Sequence, residues 1–297
     1  MPAHPMRMAC VRLTPVGAAG TKVGVVGHVE WVQFARVEHV PRAGEVVHAS
    51  EPFDEPAGGG AVAAVQLARL AGAAAFVTAV GDDGLGQRSI ARLRELGVDV
   101  YASILDAATR RAVTLVDDEG ERTITTFGPR LRPDGYEGHA ELAALAGSEA
   151  VYFTAGDVAA LRAARNAARI LVASPRAGDA LGHGVALDAL VLSKDDEIEL
   201  SELDGHQHEA EVLVFTEGDR GGRYRRRDGT EGRWSPAAPP GELVDFYGCG
   251  DSFAAGLTYG LGAGLSLPDS LALAARCGAV CMTGRGPYGR QLRGAEL

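Results

Sequence analysis

The stretch Gly248-Cys249-Gly250-Asp251 sets two glycines around a thiol and follows them with a carboxylate, just before the small apolar run Ser252-Phe253-Ala254-Ala255-Gly256. Glycines let successive backbone N–H groups converge with no Cβ in the way. A helix starting here would add its free N-terminal N–H groups and the positive end of its dipole. The product is a concavity suited to an anion. In phosphoryl transfer the migrating group spreads negative charge over its oxygens, backbone donors stabilise that charge, and a carboxylate accepts the proton of the attacking hydroxyl. Asp251 at the rim is the candidate base, with the dipole expected to favour its ionised form by about 0.3–1 kcal/mol. The competing reading is an aspartate capping a glycine-rich turn. Cys249, near the same helix start, is expected either to have a lowered thiol pKa and be open to oxidation, or to serve as a small residue in place of alanine.

Other chemistry is excluded or left bare. No Gly-x-x-x-x-Gly-Lys-Ser/Thr occurs, and the glycines at 24 and 27 lack the third glycine and helix of a dinucleotide fingerprint. The segment His206-Gln207-His208 lies among polar residues with no evident third ligand and reads as a solvated loop. Cys10, Cys249, Cys277 and Cys281 form no paired array, so a reducing compartment is expected, with Cys277 and Cys281 as small core residues. A net charge of −10, with only Arg225-Arg226-Arg227 as a basic block, argues against nucleic acid as a partner. No apolar run approaches the roughly 20 residues that span a bilayer, so no membrane partner and a cytoplasmic location are expected.

The elements that must position Asp251 follow from hydrophobic periodicity. The length of 297 residues and an apolar share of 46% suit one large α/β domain. Residues 1–21 read as a loose leader, and "KVGVVG" as a short buried strand. Residues 30–50 alternate around Pro-Arg-Ala-Gly, as a half-exposed hairpin does. "GGG" at 58–60 opens a helix, "AAAFVTAV" is a strand, and an amphipathic helix ends at Gly97. A second hairpin spans 110–127 around Asp-Glu-Gly. Strand and helix signals then alternate, which implies a mostly parallel sheet covered on both faces. A hairpin at "GGRYRRRDGTEGRWS" and helices near 251–263 and 268–283 close the chain. The two early hairpins stand outside the βα rhythm and are expected to pair as a small separate sheet.

Taken in order, these segments resemble the ribokinase (PfkB) carbohydrate kinase family. Residues 245–256 resemble its second signature, Asp-Thr-Thr-Gly-Ala-Gly-Asp. "GGGAVAAVQLARLAG" resembles its first, "RRAVTLVDDEGERTITTFGP" its second lid hairpin, and "FTEGDRGG" its Thr-x-Gly-x-x-Gly turn. The resemblance implies an α/β three-layer sandwich with a mostly parallel central sheet and a small β lid. The domain would span 22–290, with lid hairpins inserted at about 30–50 and 99–127. It also implies transfer of phosphate from ATP, with Mg²⁺, to a hydroxyl of a sugar or sugar-like small molecule, with a monovalent cation as a further candidate cofactor. A nucleoside kinase, or a weak or inactive binding or sensor protein on the same fold, are the alternatives. Asp251 would be the base and the N–H groups of Gly248, Cys249 and Gly250 the anion hole. Ser193, Thr216, Gly218 and Gly221 would lie along the nucleotide, and His28, Glu30, Gly58, Gly59, Gly60, Val62 and Arg130 along the acceptor. A homodimer through the lid is implied as well, with Trp31, Val32 and Phe34 suited to burial there.

The departures from the family pattern cluster on the acceptor and metal sides. His28-Val29-Glu30 replaces Asn-x-Asp, Val62 replaces an asparagine, Phe246 and Tyr247 replace paired threonines, and Ser174-Pro175-Arg176 stands for Asp-Pro-Asn. Ser193-Lys194-Asp195-Asp196 replaces Asn-x-x-Glu, leaving Asp196 as the carboxylate for Mg²⁺. An apolar wall cannot reward a hydroxyl. Val62 and Trp31 therefore predict an acceptor unlike a plain pentose or hexose, with an aromatic or anionic part within reach of Arg130 and Arg132.

Overall fold

The computed structural model describes residues 20–135, 140–203 and 207–297. β1 (Val23–Val26) is followed by the antiparallel hairpin of β2 (Glu30–Arg36) and β3 (Ser50–Ala57), and α1 (Gly59–Ala71) leads to β4 (Ala74–Gly81). α2 (Gly84–Glu95) leads to β5 (Val98–Leu105), and β6 (Arg111–Val116) and β7 (Arg122–Phe127) form the second hairpin. Next come β8 (Ser148–Phe153), α3 (Val158–Ala167), β9 (Ala168–Ala173), β10 (Leu187–Ser193), α4 (Glu197–Leu203) and β11 (Ala210–Thr216). The hairpin of β12 (Gly222–Arg226) and β13 (Glu231–Trp234) precedes α5 (Cys249–Gly262) and α6 (Leu267–Cys281).

The large sheet runs β13-β12-β11-β10-β9-β8-β1-β4-β5, parallel from β11 to β5. Strands buried on both faces need apolar side chains in both directions, which is why Val23–Val26 is buried throughout. Alternation divides them: Val25 and Phe76 pack with α1, α5 and α6, while Val26 and Val77 pack with Leu161 of α3 on the opposite face. The result is the expected three-layer sandwich.

The two early hairpins do pair, in the order β3-β2-β6-β7, because β2 runs parallel to β6 with Trp31 opposite Arg111. Two boundaries shift. The first hairpin returns at Ser50–Ala57, so the Pro-Arg-Ala-Gly segment lies in the connection before it. Pro52 and Pro56 disguise this strand, yet an edge position tolerates prolines because it needs fewer ladder donors. Residues 99–105, expected in the lid, belong to β5, which pairs along its whole length with β4 in the large sheet.

The central place of β2 in the lid also overturns the expectation for Trp31, Val32 and Phe34. They are 6%, 0% and 1% exposed within the single chain, so they are not available for a subunit contact. Phe34 stacks on Phe53 at 4.7 Å and meets Tyr247 edge-on at 4.9 Å. Trp31 lies under the guanidinium of Arg88 at 4.2 Å. Of the leader, residues 1–19 with Cys10 lie outside the described residues, as do His206 and the side chain of His208.

Candidate active site

Parallel strands end together, and β1, β8, β9, β10 and β11 bring His28, Thr154, Ser174, Ser193 and Thr216 to one edge of the large sheet. From β1 the chain passes through the lid hairpin and α1 to β4 on one side, whereas β8 continues through α3 to β9 on the other. Such a reversal opens a crevice at the carboxyl ends of the strands.

α5 begins at that crevice. Gly248 has φ 80°, a left-handed conformation that strains any residue with a Cβ, and no side chain caps the helix. Ser252 donates the first helical bond, to the Gly248 carbonyl at 2.9 Å. The N–H groups of Cys249, Gly250 and Asp251 therefore stand outside the ladder. At Gly250 nothing lies within 4 Å of where a Cβ would be, so the concavity is open. Its supports are side chains. Buried Asp245 accepts from Tyr247 N at 2.7 Å and from Gly286 N at 2.9 Å, and the Tyr247 hydroxyl accepts from Gly58 N at 3.3 Å. Tyr247 thus braces the loop where the family carries threonine. The tip of the second lid hairpin reaches the same loop, Phe246 N donating to the Gly120 carbonyl at 3.3 Å.

Asp251 faces a second helix start. Gly58 precedes α1 with φ 91° and again no side-chain cap, and a Cβ on Gly59 would lie 2.9 Å from Asp251 Oδ1. No hydrogen bond or ion pair from a described residue occupies this carboxylate, which is partly exposed to the crevice. Burial raises its pKa to about 6, against the downward pull of Arg176 and Arg122 and with Glu199 and Glu30 adding to the rise. Desolvation therefore sets the direction of the shift, opposite to the modest stabilisation of the ionised form expected from the helix start. Of the two expectations for Cys249, the lowered thiol pKa is not met, since burial pushes it upward and Arg122 only partly opposes this, and the small-residue reading stands uncontradicted. Cys277 and Cys281 are buried, as expected of small core residues.

On the acceptor side, a Cβ on Gly58 would lie 2.9 Å from His28 Nε2 and 3.4 Å from Glu30 Cγ, so these side chains crowd the start of α1. Glu30 pairs with Arg110 at 3.0 Å, with side chains 7% and 16% exposed. Burial lowers the pKa of His28, helped by Arg130, Arg110 and Arg176, and burial raises that of Glu30 against the same three arginines. Gly60 is used differently from the expected acceptor contact. A Cβ there would meet Gly27 Cα at 2.9 Å and the His28 carbonyl at 2.7 Å, so it permits β1 and α1 to cross. Val62 is fully buried beneath the anion loop, 2.9 Å from where a Gly248 Cβ would be, rather than lining open space. Trp31 points to the other face of the lid from Glu30, as adjacent strand residues must, and so is no wall of the acceptor site. Arg132 is exposed.

On the nucleotide side, Ser193 and Thr216 are register partners at the ends of β10 and β11, and Gly218 and Gly221 bound the turn that follows. Asp196, offered by the sequence for Mg²⁺, has both oxygens engaged. Oδ1 accepts from Ile198 N and Glu199 N at 3.1 Å, and Oδ2 pairs with Arg176. It does not fit a direct metal ligand, and among the described residues no group of three His, Cys, Asp or Glu is placed to hold a metal. Glu199 accepts from Ser193 N at 2.7 Å and from Arg176 Nε at 2.9 Å. The sequence reading missed Arg110, Arg122 and Glu199 and gave Arg176 no role. Arg110 meets Glu30 only through the parallel pairing of the two hairpins, and no local pattern signals that.

The fold, the crevice and the glycine-built anion loop together define a small-molecule kinase architecture. The pfkB family carbohydrate kinase pattern matches residues 20–291. The chain belongs to that family. It is 31% identical over 273 residues to a fructokinase of Klebsiella pneumoniae, covering 78% of this chain and 87% of the relative. It is 29% identical to Fructokinase-1 of Oryza sativa subsp. japonica, covering 84% and 90%. Among solved structures, Arabidopsis thaliana ribokinase complexed with ribose and ATP superposes with a TM-score of 0.71 at 17% identity, covering 93% and 97%. Ribokinase from Cryptococcus neoformans var. grubii serotype A in complex with ADP gives 0.68 at 21%, covering 90% and 96%. Among the described residues no helix is long and apolar enough to cross a membrane.

Proposed function

We propose that this chain is an ATP-dependent kinase that phosphorylates a hydroxyl of a sugar or sugar-like small molecule. The supporting observation is Asp251, a carboxylate with no hydrogen-bond or ion-pair partner among the described residues, set between two helix starts that no side chain caps. In this reading the N–H groups at 248–250 hold the transferring phosphoryl group, and Asp251 takes the proton of the attacking hydroxyl. A base whose pKa is raised to about 6 remains mostly ionised near neutrality and is a stronger proton acceptor than an ordinary aspartate. The lid, tied to the anion loop through Gly120 and Phe246, helps exclude water that would otherwise compete for the phosphoryl group. Ser193 and Thr216 flank the nucleotide side. A bound Mg²⁺ would supply charge neutralisation to the transferring phosphoryl group, and Asp196, with both oxygens engaged, would not be its direct ligand.

One observation favours a second reading, a binding protein on the same fold: Arg176 engages both Asp196 and Glu199. ATP consumption with a sugar panel, wild type against Asp251→Asn, separates the two. Equal residual turnover in both proteins would sink the kinase assignment. A lid-mediated homodimer remains part of the proposal, with its contact moved to the exposed edge strand β7, where Ile124 and Phe127 are 41% and 47% exposed. Light scattering checks it, and a monomer at working concentration would refute it.

A further inference from the structure

Burying a guanidinium without a counter-charge is costly. Three arginines act together on His28 and Glu30. Arg110 is answered by Glu30 at 3.0 Å, and Arg176 by Glu199 at 2.9 Å and by Asp196. Arg130 differs. It is half-buried, and its hydrogen bond to a described residue runs to a neutral acceptor, the Arg176 carbonyl, at 2.9 Å. It forms no ion pair with a described carboxylate. Burial, with the charges of Arg110 and Arg176, lowers its pKa while Glu30 raises it, so these groups share one neighbourhood.

His28 supplies a second, independent sign of a missing ligand. It is 6% exposed, and its Nδ1 is buried with no hydrogen-bond partner. Since burial and the three arginines keep the imidazole neutral, that nitrogen suits a hydroxyl rather than an anion. The orphaned groups therefore ask for two things at once: an oxyanion and a hydroxyl.

We propose that the acceptor carries a carboxylate or phosphate group, seated on Arg130 with Arg110 beside it, while His28 Nδ1 takes one of its hydroxyls. A planar oxyanion matches the guanidinium fork with two parallel bonds, which a neutral sugar cannot supply. The proposal deepens the kinase reading and rests on it only for the later step, in which another hydroxyl meets Asp251.

The test is calorimetric binding of matched acceptors, read separately from turnover with ATP. Glucose is compared with gluconate and glucose 6-phosphate, and fructose with fructose 6-phosphate. At least one anionic acceptor should bind about tenfold or more tightly than its neutral counterpart. Arg130→Met should abolish that preference, and Arg130→Lys, which keeps the charge but not the fork, should retain part of it. The gluconate and phosphate arms identify which oxyanion is meant. Neutral sugars binding as tightly as the anionic ones would overturn the proposal. So would failure of every anionic acceptor to bind, or a preference that survives in Arg130→Met. Should the methionine variant fail to fold, an undiminished preference in Arg130→Lys would overturn it as well. Anion-selective binding without turnover would uphold the proposal and remove the kinase reading, whereas turnover of neutral sugars alone would do the reverse.

Discussion

The anion loop and the acceptor wall lie on either side of Asp251 and are built by opposite means. The loop is made of backbone: its donors are N–H groups, its shape needs glycine at 248, and side chains serve only as braces. The acceptor wall is made of side chains that come from the end of β1, the lid and the loop after β9, and its charges answer one another across long sequence separations. In the proposed kinase a backbone site would tolerate almost any acceptor, because it would grip the phosphoryl group alone. A side-chain site sets the acceptor. On the proposed function, this would account for a chain that keeps the family's Gly-x-Gly-Asp pattern while replacing the residues proposed to meet the sugar.

Removing the proposed base should produce the largest effect on the loop side. Asp251→Asn should lower kcat by about 10²–10⁴-fold while leaving acceptor binding near the wild-type value. It should also raise stability. The folded-state pKa, about 6, lies above the unfolded one, so the fold prefers the protonated carboxyl and loses stability as pH rises through that window. The asparagine variant should gain up to about 3 kcal/mol above pH 6 and show no gain below about pH 4, as denaturant melts would show. Lower stability than wild type at pH 8 would contradict the claimed desolvation.

A smaller loss is expected where the two regions touch. A Cβ on Gly59 would lie 2.9 Å from Asp251 Oδ1, so Gly59→Ala should displace the base and lower kcat by about ten- to a hundredfold with little change in melting temperature. Unchanged kcat would mean that the carboxylate works from another position. For the unmodified enzyme, kcat/KM should fall about tenfold per pH unit below about 6 and level off above it, as a base requires. The smallest effect belongs to Arg122, whose charge reaches Asp251 from the lid. Arg122→Ala should move that acid limb to higher pH, because one of the two charges favouring the carboxylate is gone. An acid limb that stays in place would show that the lid exerts no field on the base.

Much of the fold was legible because its signals are local. The βα alternation, the Asp-Glu-Gly turn at 118–120 and the glycine-rich helix starts at 58–60 and 248–250 each announce backbone geometry within a few residues. The first hairpin was legible only in part, since Pro52 and Pro56 hide an edge strand. Val62 and Trp31 misled for a shared reason. Their polarity was evident, but whether each faces the crevice depends on packing from outside its own segment.

The sequence by itself determined that a glycine-framed carboxylate would open a helix beside a mostly parallel sheet, because glycine and periodicity act over a single turn of chain. Only the tertiary structure decided the charge state and company of the side chains there. Desolvation moves the pKa values of Asp251 and Cys249 upward against the pull of Arg122, and Arg110 finds Glu30, 80 positions away, because two hairpins pair in parallel. Burial and through-space fields are sums over neighbours that the chain brings together only on folding, so no local pattern can carry them.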